Sequence, residues 1–214
     1  MIKNRGVENI MYENYEFICT KDLSEIDIND NNIYYLYDYY KKWWIEHYPD
    51  NNFYRTSYFS FIKLKKGEHN PNWHFKFVTA VNNFLNMFNG EWIICSIPGH
   101  EKTLNITNAL HSQILSKVYL EPGQTMQNTL IQRSYTVDKK SMSANERVKD
   151  YKIEMKSLLI NDKINIKNKN IIVFDDITTT GCSMIAAKEL LLEAGAKNVV
   201  CVALGKTKEP KYGY

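Results

Sequence analysis

Residues 171–204 carry the pattern that most limits the fold of this chain. Ile171, Ile172, Val173 and Phe174 form an unbroken apolar run, the composition of a strand buried on both faces. Ala186, Ala187, Leu190, Leu191 and Ala194 then recur at helical spacing, Gly195 supplies a stop, and Asn198–Leu204 reads as a second strand. Strand, helix and strand in that order make a βαβ unit, whose right-handed crossover requires a parallel sheet. The loop from the first strand to the helix lies at the carboxyl edge of that sheet, where open α/β sheets bind ligands. The expected fold class is therefore α/β, a parallel sheet flanked by helices.

The loop reads Asp175-Asp176-Ile177-Thr178-Thr179-Thr180-Gly181-Cys182-Ser183. Backbone N–H groups at a helix N terminus lack intrahelical partners and sit at the positive end of the helix dipole, so this turn is a ready phosphate cradle with hydroxyl donors added. Gly181 lets the backbone approach an anion closely. Two adjacent carboxylates would repel that anion unless they bind hydroxyls or a cation, and ribose diols with Mg²⁺ provide both. The combination points to a sugar phosphate. Competing phosphate motifs are absent: there is no G-x-x-x-x-G-K-[ST], and no G-x-G-x-x-G after a strand.

The motif resembles the signature of the type I phosphoribosyltransferases, four apolar positions, two acids and a T-T-G loop. The resemblance implies that Asp175 and Asp176 bind the ribose hydroxyls of phosphoribosyl pyrophosphate (PRPP) and are the catalytic pair. It implies further that Thr178, Thr179, Thr180, Gly181, Cys182 and Ser183 hold the 5-phosphate. Beyond the motif, Ile94–His100, Gln132-Arg133 and Asn145-Glu146-Arg147 resemble the ComF-like subgroup, over roughly Glu91 to Thr207. That likeness implies a pyrophosphate loop at Ser96, Pro98, Gly99, His100 and Lys102, and a flexible basic arm with Arg133 and Arg147. Mg²⁺ would be held mainly through PRPP, with no direct protein metal site. The chain departs from the subgroup in two ways: no cysteine zinc ribbon precedes the domain, and the turn continues as His100-Glu101-Lys102-Thr103-Leu104-Asn105 instead of an arginine-rich stretch.

Texture divides the chain. Residues 1–72 are crowded with Tyr, Trp and Asn, as in NNIYYLYDYYKKWWIEHY, and are expected to form an aromatic-rich cap or hood, packing first and a protein or nucleic-acid contact second. Residues 73–214 are expected to be the phosphoribosyltransferase-like α/β domain. In it Phe77, Val81, Phe84, Leu85 and Phe88 predict a helix, Glu91–Ile97 a strand, and Ile106, Ala109, Leu110 and Ile114 a second amphipathic helix. Val118–Leu120 reads as a brief strand. Gln124–Lys152 is polar and aperiodic and reads as a long loop or mobile arm.

Composition bounds the rest. Of 214 residues, 44% are hydrophobic and 24% charged, which disfavours disorder and collagen-like repeats, and the length suits one α/β domain with an appendage. Lys and Arg number 27 against 24 Asp and Glu, a net +3 too mild to require a nucleic-acid partner. No run of about 18 apolar residues is present and the opening lacks a signal-peptide pattern, so a soluble cytoplasmic protein without a membrane anchor is expected. Cys19, Cys95, Cys182 and Cys201 lie far apart and are expected to be buried thiols of a reducing compartment.

The function expected from the resemblance is Mg²⁺-dependent transfer or hydrolysis of the PRPP phosphoribosyl group toward a base- or nucleotide-related acceptor. The alternative is a non-catalytic or partner-regulated sensor or effector on the same scaffold, since ComF-like proteins serve DNA uptake and related domains act as effectors of antiphage retrons. An oligomer or complex is expected in either case.

Overall fold

Six hydrophobic or β-branched residues in nine make Asn170–Thr178 (β7) the center of a six-stranded sheet, flanked by Asn198–Lys208 (β8) and Trp92–Ser96 (β3). The computed structural model describes residues 16–20, 26, 28, 31–68, 71–99, 109–134 and 156–208. The remaining strands of this sheet are Phe17–Cys19 (β1), Ile33–Tyr40 (β2) and Gln124–Met126 (β4), in the order β1-β2-β8-β7-β3-β4. Every pairing in it is parallel. A second, antiparallel ribbon pairs Ile131–Arg133 (β5) with Leu158–Ile160 (β6).

Strand alternation divides the interior into two layers. Ile171 and Val173 of β7 face a core that includes Met184, Ile185, Ala186, Ala187 and Leu191 of the helix Cys182–Glu193 (α5), together with Leu130, Ile131 and Leu158 of the ribbon. Ile172 and Phe174 face the other layer, built from Asn52–Lys65 (α2), Pro71–Leu85 (α3) and the short helix Ala109–Gln113 (α4). Pro71 opens α3, where its missing N–H costs nothing, and Phe77, Val81, Phe84 and Leu85 put the expected stripe into the core. Asn51 caps α2, its side chain accepting from the Phe53 and Tyr54 N–H groups at 3.0 and 3.3 Å.

The aromatic-rich stretch also contributes two strands to the sheet: β2 pairs with β8 along seven registered positions, and β1 pairs with β2. Tyr34 and Leu36 are core residues because β2 is buried on both faces like its neighbor. Helices Lys42–His47 (α1) and α2 follow at the carboxyl edge, where Tyr40, Trp44 and Tyr54 pack ring against ring.

Two expectations fail at Gln124–Lys152 and beside it. Val118–Leu120 is not a strand; the edge strand begins after the Glu121-Pro122-Gly123 turn, at Gln124. Gln124 is polar, yet its buried amide donates to the Leu85 and Phe88 carbonyls at 3.0 and 3.1 Å, closing the C-terminal end of α3. Ile131–Arg133 is likewise strand, not loop. Residues 135–155, which hold Lys139, Lys140, Arg147, Lys149 and Lys152, lie outside the described residues.

Candidate ligand site at the carboxyl edge

β3 and β7 are adjacent, yet their outgoing connections diverge. The chain leaves β3 toward α4 and β4 on one face and leaves β7 toward α5 and β8 on the other. This divergence is a topological switch point, and the crevice it opens lies at the carboxyl ends of the two strands. β3 stops at Ser96, in register with Phe174, while β7 continues beside β8 to Thr178. Ile97 N–H closes the junction by donating to the Phe174 carbonyl at 2.8 Å. Beyond that point Asp175–Thr178 form a rim with β8 on one side and the crevice on the other.

The two acids therefore sit inside a strand and not after it, which corrects the four-residue strand expected from the apolar run. Successive strand residues point to opposite faces. Asp175 continues the Ile171–Val173 side, and Asp176 continues the Ile172–Phe174 side toward α2, where Lys65 Nζ lies 3.7 Å from its Oδ2. Asp175 Oδ1 accepts the Asp176 N–H at 2.9 Å and Asp176 Oδ1 accepts the Ile177 N–H at 2.6 Å, so each carboxylate is fixed by the strand's own backbone. Both are partly exposed. Asp176 also acts on its surroundings: Tyr39 has its phenol pushed up to about 12, chiefly by burial, then by Tyr58 and by the Asp176 charge.

After β7 the loop turns into α5 through Gly181, the residue at the helix N-cap, with φ 79° and no side-chain cap. A helix N terminus without a side-chain cap presents its first N–H groups to a ligand. Gly181 is required twice, for its left-handed backbone and for space: a Cβ there would stand 2.5 Å from Ile33 Cδ1 and 3.1 Å from Phe17 Cζ. Thr178 is buried, Thr179 and Thr180 are exposed, and the Thr180 hydroxyl donates to Cys182 Sγ at 3.1 Å. β8 supports the loop from beside it, Thr207 bonding to Thr179 through their hydroxyls and Lys206 Nζ donating to the Thr179 carbonyl at 2.6 Å. Lys206 also lies over the Phe17 ring, 4.2 Å from its centroid.

The turn after β3 contributes Ser96, buried, Pro98, half-buried, and Gly99, exposed. His100, Lys102 and Arg147 lie outside the described residues. Arg133 does not project into solvent on a loop. It is 6% exposed on β5, donating from Nε to the Gly99 carbonyl at 2.8 Å, from Nη1 to Ser157 Oγ at 2.7 Å and from Nη2 to the Pro98 carbonyl at 3.4 Å.

Ile33 and Phe17 are the site-forming residues that the sequence reading missed, and nothing local marks either of them. Cys95 and Cys201 are fully buried, and all four cysteines are thiols. Among the described residues no three His, Cys, Asp or Glu side chains converge as a metal cage, and no helix is long and apolar enough to cross a membrane. A Mg²⁺ ion brought in with a ligand would be held mainly by that ligand's phosphates and water and needs no such cage.

No curated protein matches the chain. Among solved structures it is similar to a hypoxanthine phosphoribosyltransferase from Staphylococcus aureus, with 16% identity and a TM-score of 0.40 over 65% of this chain and 70% of that one. A hypoxanthine-guanine phosphoribosyltransferase from Bacillus anthracis str. 'Ames Ancestor' is similar at 13% identity and a TM-score of 0.38, over 72% of this chain and 76% of that one. The stretch that carries α4, the ribbon, the acid pair, the Gly181 loop and β8, residues 109–212, matches the family model described as the phosphoribosyl transferase domain.

Proposed function

We propose that the crevice between β3 and β7 binds PRPP and that the protein is a phosphoribosyltransferase acting on a base- or nucleotide-related acceptor. The observation that carries this reading is the β7–α5 junction, where two strand acids stand beside a helix N terminus opened by a left-handed glycine. The N–H groups at the start of α5 and the hydroxyls of Thr178–Thr180 suit a terminal phosphate. Asp175 and Asp176, each braced by a backbone N–H, suit ribose hydroxyls and fix the sugar ring. The turn through Pro98 and Gly99 would face the pyrophosphate. Mg²⁺, when bound, supplies the charge that makes pyrophosphate a leaving group. Positioning and charge stabilization then carry the reaction, with no covalent nucleophile required of the chain.

A second reading, a partner-bound effector or sensor that keeps the same ligand site, is favored by exposed aromatics at the start of α2. Tyr48 is 50% exposed and Phe53 61%, and both rings pack against Tyr54.

Calorimetric titration of PRPP with Mg²⁺ into wild type and an Asp175→Asn, Asp176→Asn double variant tests the site, with pyrophosphate release followed in parallel. Binding confined to wild type is expected. Release on adding nucleobases or nucleotides supports the transferase, tight binding without release supports the effector, and absence of binding overturns both.

A further inference from the structure

We infer that Arg133 is a positioning residue that sets the ligand-facing side of the Pro98–Gly99 turn and does not itself ligate phosphate. The inference rests on the reading of that turn as the pyrophosphate subsite. A planar trans peptide directs its C=O and N–H to opposite sides, and the peptide bonds of the described residues are all trans. The Arg133 fork draws the Pro98 and Gly99 carbonyls to itself at 3.4 and 2.8 Å, so the Gly99 N–H, which shares a peptide plane with the Pro98 carbonyl, is left facing away from the guanidinium. Carbonyl oxygens are the groups an anion avoids. Turning two of them inward leaves the Gly99 N–H outward, the polarity an anion-binding concavity needs.

The fork is held in place on its other side. Nη1 donates to Ser157 Oγ, and Ser157 is fully buried just before β6. The carbonyl of Ser157 in turn accepts the Ser134 N–H at 2.8 Å. Arg133 thus joins the β5–β6 ribbon to the turn after β3, two elements that share no sheet. Its fixed cation stands behind the turn and adds a favorable field for a bound dianion without surrendering its own hydrogen bonds. A lysine has the charge but not the planar fork, so it cannot hold both carbonyls and the serine together.

The test uses the full chain as wild type, Arg133→Met, Arg133→Lys and Ser157→Ala. Each is titrated separately with inorganic pyrophosphate plus Mg²⁺ and with ribose 5-phosphate, and PRPP turnover is measured. Arg133→Met is expected to weaken pyrophosphate about tenfold or more and to raise KM for PRPP alike, with kcat changed less and ribose 5-phosphate affinity held within about twofold. Arg133→Lys should recover part of the loss and Ser157→Ala should lie between. Unchanged pyrophosphate affinity, equal weakening of both ligands, or full recovery with lysine overturns the inference; if the methionine variant does not fold, the lysine and alanine variants decide by the same criteria. Wild type that binds ribose 5-phosphate but not pyrophosphate overturns this inference alone. Wild type that binds neither overturns the reading beneath it.

Discussion

The hydroxyls of Thr179 and Thr207 share a hydrogen bond of 2.8 Å, joining the loop after β7 to the tip of β8. Thr207 is 3% exposed, so its hydroxyl fixes the loop from the protein side and leaves the ligand side open. Thr207→Val keeps the shape and removes the bond. The expected cost is about 1 kcal/mol of stability, with ribose 5-phosphate affinity down by up to about tenfold, since 1.4 kcal/mol is a decade. Chemical denaturation and calorimetry on the one variant check both, and affinity equal to wild type would show that β8 does not set the loop.

Gly181 and Ile33 give a prediction with an internal control. Gly181→Ala meets a left-handed backbone and an Ile33 Cδ1 atom 2.5 Å away, a combined loss of about 2 kcal/mol or more. Ile33→Val removes that methyl and by itself costs about 0.5–1.5 kcal/mol. The double variant should therefore be more stable than the sum of the two losses predicts, a coupling read from a double-mutant cycle. Simple additivity would place the strain in the backbone alone.

Burial pushes the Cys201 thiol up to about 12, with Lys188 opposing and Asp175 adding to the rise, and pushes Cys95 up as well. The native protein should leave both unalkylated by iodoacetamide at pH 8, because the thiolate is the reactive form. Both folded-state values are raised above the unfolded ones, so the stabilization is complete below the unfolded thiol range, near pH 8.5. It is lost as pH rises from there through the folded values. Urea midpoints should be flat in these two groups below pH 8 and fall above about pH 9, and a Cys95→Ala, Cys201→Ala variant should show a shallower fall.

Phe84 and Phe75 lie on one helix and predict opposite outcomes. Phe84 is 2% exposed and packs its ring against Tyr34, Phe88 and Phe174, at centroid distances of 6.2, 5.1 and 6.0 Å. Phe84→Ala should cost about 3–5 kcal/mol. Phe75 is 73% exposed, and Phe75→Ala should fall within about 0.5 kcal/mol of wild type. Thermal or urea unfolding of the pair measures the depth of the α3 stripe.

Sequence periodicity located the βαβ unit and the α3 helix because their signals are local: apolar runs, a 3.6-residue stripe and a stopping glycine lie within a few turns of chain. It failed at Gln124 and Ile131–Arg133, short strands whose polar residues find their partners far away, Gln124 at the end of α3 and Arg133 at Gly99 and Ser157. The basic character of Arg133 suggested a flexible arm, and only its packing shows a buried fork.

The sequence by itself determined a parallel α/β sheet with an acid pair and a glycine loop at its carboxyl edge, because a strand buried on both faces and a helix stripe tolerate few other arrangements. The tertiary structure decided which face each acid takes and which strands flank them. It put β2 beside β8, brought Ile33 and Phe17 against Gly181, and turned Arg133 toward the Pro98–Gly99 carbonyls. Those choices pair segments more than thirty residues apart, where no local period records the partner and satisfaction of buried polar groups and close packing select it.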